Sequence, residues 1–147
     1  MKNAQIKPAE IVISDELKAA AKSAYNNAYA PYSEFKVGSA ALTSDNTIVS
    51  GCNVENASYG LTVCAERNCI SQAVIQGKQA FKLIVIYTEQ DKLTPPCGAC
   101  RQVIAEFFEQ NAPVVAFNHK DEQRVWQVSQ LLPDAFTPKF LLDSEEP

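Results

Sequence analysis

The run Lys82-Leu-Ile-Val-Ile-Tyr-Thr88 constrains the fold of this chain more than any other segment. Leu83 to Tyr87 are apolar without a polar break and rich in β-branched residues. A strand with one wet face alternates; a strand that does not alternate belongs in the centre of a sheet, covered on both sides. The segments around it supply the cover. Ser14-Asp15-Glu16 reads as a helix start, a capping hydroxyl followed by acids, and Leu17 to Tyr29 as an Ala-rich helix ended before Pro31. Phe35 to Thr43 and Thr47 to Val54 read as a hairpin around the turn residues Ser44-Asp45-Asn46. A helix is expected from about Cys64 to Gln76, stopped by Gly77. A further helix starts near Cys97 and turns Val103, Ile104, Phe107 and Phe108 inward. Pro113 to Phe117 reads as a strand and Val125 to Leu132 as a last helix or helical turn. The order α, β-hairpin, α, β, α, β, α predicts an α/β fold, a three-layer α-β-α sandwich around a mixed sheet. There is no internal repeat or linker, so residues 1–147 are expected to form one domain, with 1–13 as a loosely packed N-terminal extension.

Two cysteine motifs fall where this reading starts helices: Cys64-Ala-Glu66 and Pro96-Cys97-Gly-Ala-Cys100. A helix N-terminus presents free N–H groups and a positive dipole end, which favour a thiolate. Cys97 and Cys100 are three apart and share a helix face. Gly98 would let the backbone come close to a metal. Three thiolates suit a catalytic zinc, which keeps a position for water, whereas a structural zinc takes four protein ligands. Glu66 stands where a proton carrier for that water is needed. Three thiolates and Zn²⁺ sum to a charge of about −1, so the metal needs donors to its sulfurs. Arg67 is the candidate beside Cys64, and Arg101 a second.

Other readings of the cysteines stay open at this level. A lone C-x-x-C also serves redox pairs and zinc knuckles. A closed four-cysteine site would need Cys52 or Cys69. Cys69 is roughly 140° around the helix from Cys64 and should face away, and Cys52 reads as a strand residue. The chain has five cysteines and one histidine, His119, so a His₃ zinc site within one chain is excluded. His119 reads as a surface residue and Trp126 as packing.

Composition narrows the partners. The net charge is −4 and no basic run occurs, which argues against a nucleic acid partner. No apolar stretch is long enough to span a bilayer. The N-terminus lacks the apolar core of a signal peptide, so a cytoplasmic location is expected.

Cys64-Ala-Glu66-Arg67 together with Pro96-Cys97-Gly-Ala-Cys100-Arg-Gln resembles the zinc-dependent cytidine deaminases. Cys64 in place of the more usual His is similar to the small homotetrameric branch. Ala30-Pro-Tyr-Ser33 with Phe35-Lys-Val-Gly38, Gly51-Cys-Asn53-Val-Glu55-Asn-Ala57-Ser-Tyr59, and Leu132-Pro-Asp-Ala-Phe136 extend the resemblance from about Leu17 to Phe136. The resemblance implies one Zn²⁺ per subunit on Cys64, Cys97 and Cys100, with Arg67 supporting the ligands. It implies that zinc-bound hydroxide attacks C4 of cytidine or deoxycytidine, giving uridine or deoxyuridine and ammonia in pyrimidine salvage. Glu66 would carry the protons. Asn53 and Glu55 would bind the sugar hydroxyls, and Ala65 would fix the pyrimidine edge through its backbone. Phe35 would wall the base pocket, and Val54 would line the substrate site. Ala57, Tyr59 and Phe136 would reach a neighbour's site within a homotetramer.

Two other functions compete. A zinc aminohydrolase of a cytosine-containing antibiotic such as blasticidin S shares the motif, although Asn53-Val-Glu55 speaks for a free ribose. A non-catalytic zinc module would leave Glu66 without a task.

Overall fold

A computed structural model describes residues 11–142. The first ten residues of the expected extension therefore lie outside the described residues. Its end is packed rather than loose. Ile13 is buried in the core, and the Ile11 carbonyl accepts from Gln123 Nε2 at 2.9 Å.

Ser14 caps the first helix, α1 (Asp15–Asn26), by accepting from the Leu17 N–H at 3.2 Å. Leu17, Ala21 and Ala24 fall on its buried stripe. The helix ends three residues short of the expected Tyr29. The chain there turns to the sheet, and the Tyr29 N–H donates to the Asn53 carbonyl at 3.0 Å. The hairpin of β1 (Gly38–Thr43) and β2 (Ile48–Cys52) follows, then α2 (Ala65–Ile75) and β3 (Phe81–Thr88). Both hairpin strands are shorter than expected, because Phe35 to Val37 and Asn53 to Val54 are held by side chains and single bridges rather than by the ladder. Gly77, at φ 82°, closes α2. The Lys78 N–H bonds the Ala73 carbonyl and the Gly77 N–H that of Val74, a pattern that favours glycine at this left-handed position. Next come α3 (Gly98–Phe107) and β4 (Pro113–Asn118).

The chain then departs from its sequence reading. Residues Gln123–Gln127 form a fifth strand, β5, paired antiparallel to β4, and only Val128–Leu131 are helical (α4). Val125 and Trp126 are adjacent apolar residues on opposite faces of the sheet, Val125 packing on the α1 side and Trp126 on the other. The turn into β5 is fixed by Asn118, whose side-chain oxygen accepts from the Lys120 and Glu122 N–H groups. A last short helix, α5, spans Lys139–Leu142.

The strand order is β2-β1-β3-β4-β5, with β3 and β4 parallel and the other neighbours antiparallel. This is the expected mixed sheet, with β3 at its centre. Ile84 and Ile86 face a core shared with α2, α3 and α4. Val85 and Tyr87 face a second core under α1. The unbroken apolar run of β3 thus feeds both cores. Two glycines let helices touch the sheet directly. A Cβ on Gly51 would lie 2.3 Å from the Cys69 nitrogen and 2.7 Å from the Ala65 carbonyl oxygen of α2. A Cβ on Gly38 would lie 2.0 Å from the Ala21 carbonyl oxygen of α1. None of the helices formed by the described residues is long and apolar enough to cross a membrane.

Candidate active site

The starts of α2 and α3 meet on one face of the sheet. Cys64 is the N-cap of α2 and Cys97 the N-cap of α3, and neither side chain caps its own helix. Their sulfurs are 3.6 Å apart. Cys100, fully buried one turn into α3, completes a trio whose sulfurs all lie within 4.8 Å of one another. Sulfurs held tetrahedrally at about 2.3 Å from one zinc are about 3.8 Å apart, so the trio fits that ion. Cys69 is excluded from it: its thiol points into the core and donates to the Val49 carbonyl at 3.3 Å, and burial pushes its pKa up to about 12. Cys52 also lies outside the trio, and all five cysteines are free thiols.

Charge is unevenly shared among the three. Hydrogen bonding from Cys100, then from Arg67 and Cys97, pulls Cys64 down to about 5. Cys100 moves upward, as the donor to Cys64 and as a buried group. Arg67 Nη2 lies 3.5 Å from Cys64 Sγ and 3.4 Å from the Thr62 carbonyl, while its buried Nε has no partner among the described residues. Arg67 thus stands where a donor to ligand sulfur is needed. Arg101 does not. Its Nε donates to the Pro96 carbonyl at 2.8 Å and its Nη1 to the Leu131 carbonyl at 3.1 Å, so it ties the Cys97 turn to α4. Sequence adjacency to Cys100 did not reveal this, because the partners come from the chain before α3 and from α4.

Glu66 is only 4% exposed, in the first turn of α2. Burial, with the nearby Cys64 charge, raises its pKa to about 7, against weaker pulls from its own backbone N–H, Cys100 and Arg67. A carboxyl poised near neutrality can both hold and release a proton at physiological pH. Ala65, beside it, is fully buried. An added Cβ on Gly98 would meet no protein atom, so that residue is not required by the protein's own packing.

The remaining expected residues lie outside the cysteine trio, in the chain between the main helices and strands. Asn53 is buried, and its amide faces inward to the chain: Oδ1 accepts from the Val37 N–H at 2.9 Å and Nδ2 donates to the Phe35 carbonyl at 2.8 Å. Val54 bridges Tyr29 on one side and Val63 on the other, which brings Asn53–Glu55 beside the approach to Cys64. Glu55 reaches the turn at Tyr32 and Ser33, accepting from both N–H groups and from the Ser33 hydroxyl. Phe35 is 38% exposed, Phe136 57% and Tyr59 73%, and Ala57 is also exposed. Tyr59 leans on Tyr32, and Phe136 stacks on Phe140. Sequence reasoning missed Asn68, whose Nδ2 donates to the Cys52 carbonyl at 2.8 Å and anchors α2 to the end of β2. It also missed Gln102, whose Nε2 holds the Phe136 carbonyl at 2.7 Å. A short amide four residues after the capping cysteine was the available signal for Asn68.

Three thiolate donors on two helix starts, with a buried carboxyl beside them, define a metal-dependent hydrolytic centre on an α/β sandwich. Comparison with known proteins carries this further. Residues 13–116 match the family described as the cytidine and deoxycytidylate deaminase zinc-binding region, and the chain belongs to that family. The metal held by the cysteine trio is zinc, one per subunit. The cytidine deaminase of Sporosarcina psychrophila is 44% identical over 127 residues, covering 86% of this chain and 93% of that protein. That of Halalkalibacterium halodurans is 42% identical, covering 82% and 91%. The crystal structure of cytidine deaminase from Burkholderia pseudomallei superposes with a TM-score of 0.80 at 46% identity, covering 85% of this chain and all of that one.

Proposed function

We propose that this chain is a zinc-dependent cytidine deaminase that hydrolyses cytidine and deoxycytidine to uridine and deoxyuridine, releasing ammonia, in cytoplasmic pyrimidine salvage. The observation that carries the reading is the three-sulfur cluster of Cys64, Cys97 and Cys100 beside a buried Glu66 with a pKa near 7. Zinc on this cluster supplies a Lewis acid that activates water at neutral pH. Glu66 takes a proton from the attacking water on its carboxylate and passes it to N3 of the pyrimidine; it then takes the second proton from the same oxygen, now bonded to C4, and delivers it to the amine, which leaves as ammonia while the C4–O bond becomes the carbonyl. Burial suits it to both directions, because it weakens the carboxylate's hold on charge and not on the proton. Arg67 and the two helix N-termini draw charge off the sulfurs.

Asn53 holds Phe35 and Val37 in place and has donor and acceptor capacity left for a sugar hydroxyl. Glu55 offers an ionised acceptor; hydrogen bonds from the Ser33 hydroxyl and from the Ser33 and Tyr32 N–H groups hold its pKa below the usual carboxylate range. Phe35 and Val54 wall the base and sugar, and the Ala65 backbone meets the pyrimidine edge. Ala57, Tyr59 and Phe136 are placed on a neighbour's site within a homotetramer; their exposure in a single chain supports that role. The antibiotic reading is weaker, since nothing at the site favours a larger substrate.

Turnover of cytidine followed by ultraviolet absorbance, with and without a chelator, tests the reading. Glu66→Gln should lower kcat by roughly 10² to 10⁴-fold, the usual worth of a positioned acid–base group, with zinc still bound. Full activity in that variant, or loss of its zinc, would refute the role given to Glu66.

A further inference from the structure

Glu55 has more work than a sugar contact requires. Oε1 accepts from the Tyr32 N–H at 3.0 Å and the Ser33 N–H at 3.1 Å, and Oε2 accepts from Ser33 Oγ at 2.5 Å. An ionised carboxylate has about four acceptor positions. Three are taken by one turn of the chain, and the one left is on Oε2. Those three bonds hold the carboxylate in one orientation, and the backbone leading into Glu55 is fixed as well. The Glu55 N–H donates to the Tyr29 carbonyl at 2.9 Å, and Val54 is bridged on both sides. No cation forms an ion pair with it among the described residues. Ser33 also fixes a direction. A hydroxyl has a single proton, and that proton goes to Glu55, so Oγ must accept from the Phe35 N–H at 3.0 Å. One hydroxyl therefore links the residue set against the base to the residue set against the sugar. The turn holds Glu34 at φ 59°, a left-handed backbone in a non-glycine residue, with its N–H on the Ala30 carbonyl.

We propose that Ser33 is a positioning residue for sugar recognition: its hydroxyl orients Glu55 so that the acceptor left on Oε2 is aimed at one substrate hydroxyl. The proposal rests on the reading of Glu55 as the acceptor for the 3′-hydroxyl. Ser33 is exposed and caps no regular element, so replacing it leaves the core and the cysteine cluster untouched.

The test compares cytidine, 2′-deoxycytidine and 3′-deoxycytidine on the zinc-loaded enzyme, with kcat and KM separated and zinc content measured for every variant. The unsubstituted enzyme should lose about 10-fold or more in kcat/KM without the 3′-hydroxyl, the scale of a hydrogen bond to a charged group, and little without the 2′-hydroxyl. In Ser33→Ala the KM for cytidine should rise about 10-fold at unchanged kcat, and the penalty for 3′-deoxycytidine should shrink toward none. Ser33→Thr, which keeps the hydroxyl, should restore both. An unchanged KM in Ser33→Ala, or an equal loss on all three nucleosides, would overturn the proposal, the second by reducing Ser33 to loop structure. Glu55→Gln separates the two layers of the argument. If it keeps the preference for the 3′-hydroxyl, the reading of Glu55 is wrong and the proposal falls with it. If it abolishes that preference while Ser33→Ala keeps it, only the role of Ser33 is refuted.

Discussion

Adding one methyl group to Gly51 should damage catalysis without touching a single catalytic residue. The new Cβ would sit 2.3 Å from the Cys69 nitrogen, 2.7 Å from the Ala65 oxygen and 2.8 Å from the Cys69 Cα. Those first two atoms are donor and acceptor of one i→i−4 hydrogen bond, in the turn of α2 that carries Glu66. Backbone cannot rotate aside as a side chain can. Ordinary contact is about 3.5 Å, so α2 must retreat from the sheet by about 1 Å at this point. Overpacking of this kind costs about 1–3 kcal/mol, or ~2–12 °C in Tm for a domain of this size. A displacement of about 1 Å in a catalytic group can cost about 100-fold in rate. Gly38→Ala supplies the control. Its Cβ would meet α1 at 2.0 Å from the Ala21 oxygen and 2.6 Å from the Tyr25 nitrogen, a clash at least as severe. However, α1 lies on the opposite face and bears no site residue. Thermal denaturation should show both variants destabilised. Cytidine kinetics, normalised to bound zinc, should show a large fall in kcat for Gly51→Ala and a change within about 3-fold for Gly38→Ala. Equal kcat losses in the two variants, or full kcat in Gly51→Ala with its destabilisation present, would refute the claim that the sheet contact sets Glu66.

Two further outcomes are expected. Gln102→Leu removes the bond to the Phe136 carbonyl, so KM should rise roughly 3–10-fold, the worth of about one hydrogen bond, while kcat and zinc content stay constant. A rise in KM no larger than that of a distant surface variant would remove Phe136 from the substrate pocket. Thiol titration of the chelated enzyme should find Cys64 reactive at neutral pH and Cys69 inert until the chain unfolds. The sign for Cys69 follows from burial: its folded pKa, about 12, exceeds its unfolded value of 9.0, so its contribution to stability is full below 9.0 and is lost as pH climbs toward 12. Modification of Cys69 in the folded enzyme at neutral pH would contradict that burial.

Much of this molecule is readable from its residues, for identifiable reasons. Leu83 to Tyr87 announce a central strand because two cores need them. Cys64 and Cys97 announce helix starts because a thiolate gains from free N–H groups there. Glu66 could be placed because it is two residues from a ligand. What could not be read were partners distant in sequence. Val125, Trp126, Val128 and Leu131 carry a spacing that suits a helix, yet pairing with β4 draws the first two into a strand. Arg67 and Arg101 each follow a motif, and only the fold decides that one meets sulfur and the other two carbonyls. Asn53 and Glu55 are singled out as sugar contacts through the family resemblance, and nothing in the sequence marks them as the ties that hold Phe35 and Ser33.

The placement of the metal ligands has a consequence for the whole chain. Cys64 and Cys97 are 33 positions apart, and the chain between them includes all of α2 and β3. An ion gripping both is a cross-link as well as a reagent. Chain-entropy arithmetic for closing a loop of that length gives roughly 4 kcal/mol at room temperature. The starved enzyme therefore loses its staple together with its chemistry, and heat tolerance becomes a function of metal supply.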